Sequence, residues 1–519
     1  MRAAFLILLI AAGAMGIRLT SQVLSALTEN RPASPGAVGP ESHVPVQQSV
    51  AAPRVPWNVE IQQRVDEVLL EQQTLVGPAD ANTVQAADGS EFRPEHLPPR
   101  RHQAPLHGEM LTPGNFQYLG AFRPPHTDGQ VKSFAYGGWG IAFRSDGDPE
   151  GAADGFSGSL FIVGHQNDQL VAEISIPRPL IPRLRRFDDL PAAGVLQDLG
   201  DITAGLRLRL TDNPSQPFLI GGLLVSGDRL IWTLYRYYNA EGYDFCSHGV
   251  STLNTTGPIV SGPWHLGPSG TGASEWQAYK HAGYVFDVPG DYADQWLGGC
   301  RFVSGLQVAT GLQTASHGPA MFAWRLPEKL PPDGASLEAL PLVWNDQSTP
   351  AAGYHPADRF TGGCWLTLGQ KHSVIIVGRK ALGAFYYGEA RPGDCTPDKG
   401  YHGPPYEAQV LFYSPASLVR SAHGAARPWE VVPWFRWDQN SPGGGIGQYL
   451  FPTCSQHLGG ITWDQTHRRL YVSQAAAGAT ADQEYEVLPA IHVFELVDQV
   501  DDLPARAIPP TGTTDVSVP

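Results

Sequence analysis

A doublet of glycines recurs five times along this chain, each time opening onto a short apolar run. The doublets are Gly137-Gly138, Gly221-Gly222, Gly298-Gly299, Gly362-Gly363 and Gly459-Gly460, spaced 84, 77, 64 and 97 residues apart. The first leads into Trp139-Gly140-Ile141-Ala142-Phe143 and then Ser159-Leu160-Phe161-Ile162-Val163-Gly164-His165. Glycine inside a strand weakens it unless another backbone must come close, so the repeat marks a position that is crowded five times over. Charged residues are only 16% of the 519, against 58 Gly and 46 Pro, a balance that favours many turns, short strands and little surface helix.

Between consecutive doublets there is room for about four strands. In the first unit these are expected at Gly140 to Phe143, Leu160 to Val163, Leu170 to Ile176 and Leu206 to Leu210. The second offers Leu223 to Val225, Leu230 to Tyr235, Val250 to Leu253 and Gly283 to Val288. The third offers Cys300 to Val303, Leu306 to Val308, Met321 to Leu326 and Leu340 to Trp344. The fourth has Cys364 to Leu368, Ser373 to Val377, Val410 to Tyr413 and Val431 to Trp437, with Leu382 to Tyr387 as an extra strand. The fifth shows only Ile461 to Trp463, Arg469 to Ser473 and Ile491 to Val497, and the run Phe116 to Phe122 is expected to fold back and complete it. Such a return strand would close a ring and remove its open sheet edges. The fold class expected is therefore all-β, a single β-propeller over residues 108–500. Five blades are favoured; the uneven units leave six or seven open.

Residues 1–17 hold one basic residue and an unbroken apolar or small run ending near Ala12-Gly13-Ala14, which predicts a secretory signal rather than a spanning helix. No integral membrane span is expected once it is removed, and a secreted or periplasmic location follows. Residues 18–57 are expected to be a disordered Pro-rich linker and 77–107 a second linker. Residues 58–76 place Ile61, Val65, Val68 and Leu69 at helical spacing, and 501–519 form a tail expected to be disordered. A net charge of −15 argues against a nucleic-acid partner.

In a ring of this kind the loops entering the innermost strands and those leaving the second strands share one face. On that map His165, Arg236 and Arg379 end second strands, His317 supplies the third unit, and Asp168, Tyr238, Arg359 and His402 stand close by. The ordinary roles for such residues are loop hydrogen bonds and ion pairs. Their joint placement suits an anionic sugar, because Arg forks onto carboxylates while Tyr and Trp offer ring faces. It also suits uronate chemistry, with Arg236 neutralising the carboxylate and His165 or Tyr238 moving the proton. Arg379, His317, Asp168, Arg359 and His402 would hold the substrate.

The layout resembles that of five-bladed glycoside hydrolases and five-bladed lectins, in architecture only and over about residues 108–500. The residue set is also similar in kind to that of seven-bladed polysaccharide lyases. These resemblances imply carbohydrate binding or cleavage, with an acidic polysaccharide as ligand and a lyase ahead of a two-carboxylate hydrolase. The alternative is a non-catalytic interaction scaffold. Carboxylates on the expected face are few, chiefly Asp168, Glu241, Asp244 and Asp358. Nothing in the sequence indicates zinc, since none of the five cysteines forms a C-x-x-C pair. A structural Ca²⁺ held by carbonyls would leave little trace. Up to two disulfides are expected, with Cys246 and Cys300 as neighbours and one pair among Cys364, Cys395 and Cys454. Asn254-Thr255-Thr256 matches a glycosylation acceptor, and the glycine-rich stretch from Ser441 reads as a loop.

Overall fold

The structure is a computed structural model that describes residues 109–126, 132–182, 184–210, 217–236, 245–268, 276–308, 316–395, 399–441, 444–479 and 487–498. The expected signal, both linkers, the helix at 58–76 and the tail lie outside the described residues. No helix among those described is long and apolar enough to cross a membrane.

Five antiparallel sheets carry the fold, as a five-bladed β-propeller. The first is Ile141–Arg144, Ser159–Val163, Val171–Ser175 and Val195–Gly200, in that order. The second is Leu219–Ser226, Arg229–Tyr235, His248–Thr252 and Val260–Leu266, with Ser336–Leu337 added in parallel at its outer edge. The third is Tyr284–Asp287, Phe302–Gly305, Met321–Trp324 and Ala339–Val343. The fourth is Arg359–Leu368, Lys371–Ala381, Tyr406–Tyr413 and Phe435–Asp438, with Gln307–Val308 pairing on its inner strand. The fifth runs Leu458–Asp464, Arg469–Gln474 and Ala490–Leu496, and its outer strand is Phe116–Phe122, paired antiparallel with Ala490–Leu496.

Successive residues of a strand point to opposite faces, so each sheet feeds two seams. Ile162 and Ile174 pack with Tyr471 and Ile491 of the fifth sheet, while Phe161 and Val163 pack with Leu223 and Trp232 of the second. Trp264 and Ile231 meet Val285 and Phe322. Phe286 and Val303 meet Ile376 and Leu411; Val377 and Val410 meet Leu458 and Val472. Five sheets thus share five seams, and the core lies in the seams. Burying each large apolar side chain there contributes about 1.5–3 kcal/mol.

The glycines act where the inner strands meet around the axis. A Cβ on Gly222 would lie 2.7 Å from the Gly283 carbonyl oxygen, one on Gly459 2.8 Å from that of Gly138, and one on Gly363 2.7 Å from the Phe286 ring. A Cβ on Gly362 would collide with the Gly459 carbonyl, and one on Gly140 would press on Val163 and Leu223. The contacts run through all five inner strands. About 10 Å³ is left on the axis, room for about one water. In the second, fourth and fifth sheets the pairing also slips by a residue at the doublet, between Ile220 and Gly222, Phe360 and Gly362, and Leu458 and Ile461. These are β-bulges, and each reverses which face the preceding residue points to.

The third unit differs from expectation. Gly298-Gly299 does not open an inner strand; it follows the helix Gly290–Trp296 with φ of +60° and +81°, a left-handed turn that suits glycine. The third inner strand is Tyr284–Asp287, entered through the single Gly283, so the run at 283–288 belongs to this sheet and not to the second. Leu206–Arg209 is helical rather than a strand, because the Asp201 carboxylate accepts the backbone N–H groups of Thr203 and Gly205, both at 2.8 Å, and winds the chain. Of the expected extra strand at 382–387, only its end forms one: Tyr386–Gly388 pairs with Gly400–His402 in a separate hairpin. Cys395 is bonded to Cys454, tying that insertion to the approach of the fifth inner strand. The bond closes a separation of 59 residues, worth about 4 kcal/mol in the chain-entropy account. Cys246 and Cys300 are free and not bridged, and Cys364 is also free.

Two outcomes follow. Gly222→Ala should lower the urea midpoint by the equivalent of about 1–3 kcal/mol, whereas Gly194→Ala, exposed and meeting only Ser175 Oγ at 3.4 Å, should change it little; equal effects would contradict the axial account. Thiol titration of the native protein should find Cys246 reacting first. Cys300, whose thiol burial pushes up to about 12, and buried Cys364 should react only on unfolding.

Candidate functional site

Inner and second strands are antiparallel, so the start of one and the end of the other lie at the same end of each sheet. That end carries Trp139, Phe218, Lys280, His281, Arg359 and His457 before the inner strands, and His165, Arg236, Gln307, Arg379 and Gln474 at or after the second strands.

The densest group joins the fourth and fifth sheets. Arg359 and Arg379 are directly opposed across the first two strands of the fourth sheet, so both project towards the fifth. The guanidinium of Arg379 lies 4.2 Å over the Tyr406 ring. Thr361 Oγ1 is 3.4 Å from His457 Nε2, and the Trp139 ring meets the His457 ring edge-on at 4.7 Å. Trp139 is itself fixed by donating its indole N–H to the Tyr136 carbonyl at 2.8 Å. Arg379 and His457 are 1% and 2% exposed and form the floor; Arg359, Thr361 and Trp139 are half-buried and form the rim. Burial, and then the charges of Arg379 and Arg359, hold the His457 pKa well below the ordinary histidine value. This ring is therefore a neutral acceptor or base beside two cations.

The other expected site residues fall in separate groups. His165 is half-buried, edge-on to Tyr136 at 5.7 Å, and its Nδ1 accepts the Asn167 N–H at 3.2 Å. The Asp168 carbonyl accepts a hydrogen bond from Arg207, which also donates to the Phe218 carbonyl at 3.3 Å. Arg236 is 8% exposed with its guanidinium 5.3 Å from the Phe218 ring. His317 stacks on Tyr354 at 4.8 Å, and its pKa is lowered by burial first and Lys280 second. His402 stacks on Tyr386 at 4.8 Å within the 386–402 hairpin, 3.6 Å from Asp394. Tyr238 lies outside the described residues. Asp358 is occupied by structure: its carboxylate takes Lys380 and the backbone N–H groups of His355 and Ala381.

Sequence reasoning named Arg359 and Arg379 as site residues, placed His457 near the same face without a role, and overlooked Trp139. Trp139 could have been found, since it sits directly after the first doublet where a strand enters the face. Among the described residues no three His, Cys, Asp or Glu side chains gather as a metal would require.

Two more histidines are buried neutral. His248 bonds Ser247 and Ser304 hydroxyls, both at 2.9 Å. In the fifth sheet, Gln474 Oε1 already accepts the Phe451 N–H, so His492 Nε2–H donates to it at 3.0 Å while Nδ1 accepts the Tyr118 hydroxyl at 3.0 Å. Burial lowers the His492 pKa from 6.5 to about 3. Because the unfolded chain then binds more protons between those values, stability is fully present above pH 6.5 and is lost as pH falls below it. A group shifted this far costs on the order of 2 kcal/mol at pH 5. Urea midpoints should fall between pH 7 and pH 5; a flat profile would contradict neutral burial of these rings.

No family model matches the chain, and no curated protein matches it in sequence. Among solved structures it is similar to a protein from work on the GH130 family of mannoside phosphorylases, described as containing glycoside hydrolases that target β-1,2-mannosidic linkages in Candida mannan. There the identity is 11% over 76% of this chain and 100% of that one, with a TM-score of 0.34. A glycosyl hydrolase from Bacteroides ovatus gives 12% identity, 77% and 100% coverage and a TM-score of 0.34. The PQQ-bound aldose sugar dehydrogenase of Streptomyces coelicolor gives 10% identity, 73% and 97% coverage and 0.27.

Proposed function

We propose that this is an exported protein that binds or cleaves an acidic carbohydrate at the end of the propeller where the inner strands begin. The observation that carries the reading is the opposed pair Arg359 and Arg379 beside neutral His457 and the Trp139 ring. Guanidinium forks suit the carboxylate of a uronate, and an indole face suits the sugar ring next to it. A neutral imidazole next to cations is also the state needed to take the proton that a neutralised uronate releases. On this reading Arg359 and Trp139 touch the polymer first, with Arg379 and His457 beneath them. In the alternative assignment of the chemistry, His165, Arg236 and Tyr238 handle the proton and the charge in place of His457 and the arginine pair; in either, His317, Asp168 and His402 extend the contact surface. The Cys395–Cys454 bond and the apolar run at residues 1–17 support export into an oxidising compartment. The alternative, an interaction scaffold, is favoured by the exposed Leu180, Ile181 and Leu184, 47%, 56% and 77% accessible.

The test is to incubate the purified protein with uronic-acid and neutral polysaccharides, following unsaturated-uronate absorbance, reducing ends and retention on the immobilised polymers. Retention on an acidic polymer should weaken with salt and fall about tenfold in Arg359→Ala, the loss of one charge-assisted contact. New absorbance together with new ends would establish a lyase. Equal retention of neutral polymers, or an Arg359→Ala protein that behaves as the parent, would defeat the proposal.

A further inference from the structure

The two strands that point Arg359 and Arg379 towards the fifth sheet point their alternate residues the other way, into the seam with the third sheet. There a cavity of about 310 Å³ opens between the two sheets, within the range of roughly 300–1,000 Å³ typical of small-molecule pockets. Its apolar walls are Pro319, Phe360, Leu411, Trp429, Val431 and Val432, and its polar lining is Gln307, Asn345, Gln409, Lys380 and Arg436.

The Lys380 charge in this lining is already paired, and Arg436 donates to the Ala352 carbonyl at 3.3 Å. Lys380 Nζ sits 2.9 and 2.8 Å from the two oxygens of Asp358, and Gln409 donates to Asp438 at 2.6 Å. Two polar atoms of this lining are not satisfied among the described residues. Gln307 is 2% exposed and its side-chain carbonyl has no donor; the Nε of Arg436 is buried and has no acceptor. Leaving such buried groups unpaired is costly. An anion could satisfy the donor and not the acceptor, and a cation the reverse. A hydroxyl does both.

We propose that this cavity binds a small neutral polyhydroxylated molecule, a single hexose-sized ring. Its hydroxyls donate to Gln307 and accept from Arg436, and its C–H faces lie against Trp429 and Val431. The site is independent of the arginine pair, which faces the opposite seam, and does not rest on the polymer reading.

Saturation-transfer NMR of the full chain with D-glucose, D-mannose, D-galactose and D-glucuronate tests it. At least one neutral hexose should bind. In Gln307→Leu, which keeps the side-chain volume, its Kd should rise at least fivefold. Val432 is 58% exposed at the rim, so Val432→Trp should fold as the parent does and shade the opening, again weakening the hexose. Arg359→Ala should leave hexose binding unchanged while it weakens polymer retention, so the two proposals fail separately. The inference is overturned if no neutral hexose binds, if only glucuronate binds, or if both pocket variants bind as the parent does.

Discussion

Everything in this molecule depends on how closely five strands approach one axis. Where Gly222 faces the backbone of Gly283 and Gly459 that of Gly138, a single methyl group would push neighbouring sheets apart. Because the contacts form a circuit, displacement at one position is carried to the other four. The seams outside that circuit can then close on ordinary large side chains, with Trp232, Trp264 and Trp324 among the largest fully buried. Interiors packed this tightly transmit strain rather than absorb it.

The same crowding governs the polar residues. Towards the ends of the strands the sheets diverge and charge is tolerated at the rim, as with half-buried Arg359. Deeper in, His248 and His492 persist as neutral, doubly bonded groups. His457 lies at the boundary: buried like the second kind, yet facing two arginines like the first. Its neutral state is imposed by both the burial and the cations.

The ring of short strands was legible because glycine doublets and apolar runs are local signals. Four of the five doublets lie where inner strands begin. The fifth misled because Gly298-Gly299 looks the same in sequence whether it relieves backbone crowding or turns left-handed after a helix. Likewise Leu206–Arg209 alternates as a strand would, and only the Asp201 cap decides otherwise. The candidate residues were legible as a set of types placed at one end of the sheets. Their grouping was not, because it depends on which seam each side chain enters, and a one-residue bulge reverses that. The cavity beside Gln307 leaves no trace in sequence, since residues more than a hundred positions apart line it.

The bulge at the fourth doublet thus does more than relieve crowding. Thr361 is the extra residue, and it separates the parity of the rim from the parity of the seam. Cys364 and Leu366 keep their place against the fifth sheet whatever precedes them, while Arg359 is assigned its side by the bulge alone. The first residues of such a strand are in effect an interchangeable tip on a fixed shaft. Recognition chemistry can be rewritten there by substitution without disturbing the core, and pairing the same residues without the bulge would hand the arginine to the opposite neighbour, exchanging the character of the two clefts.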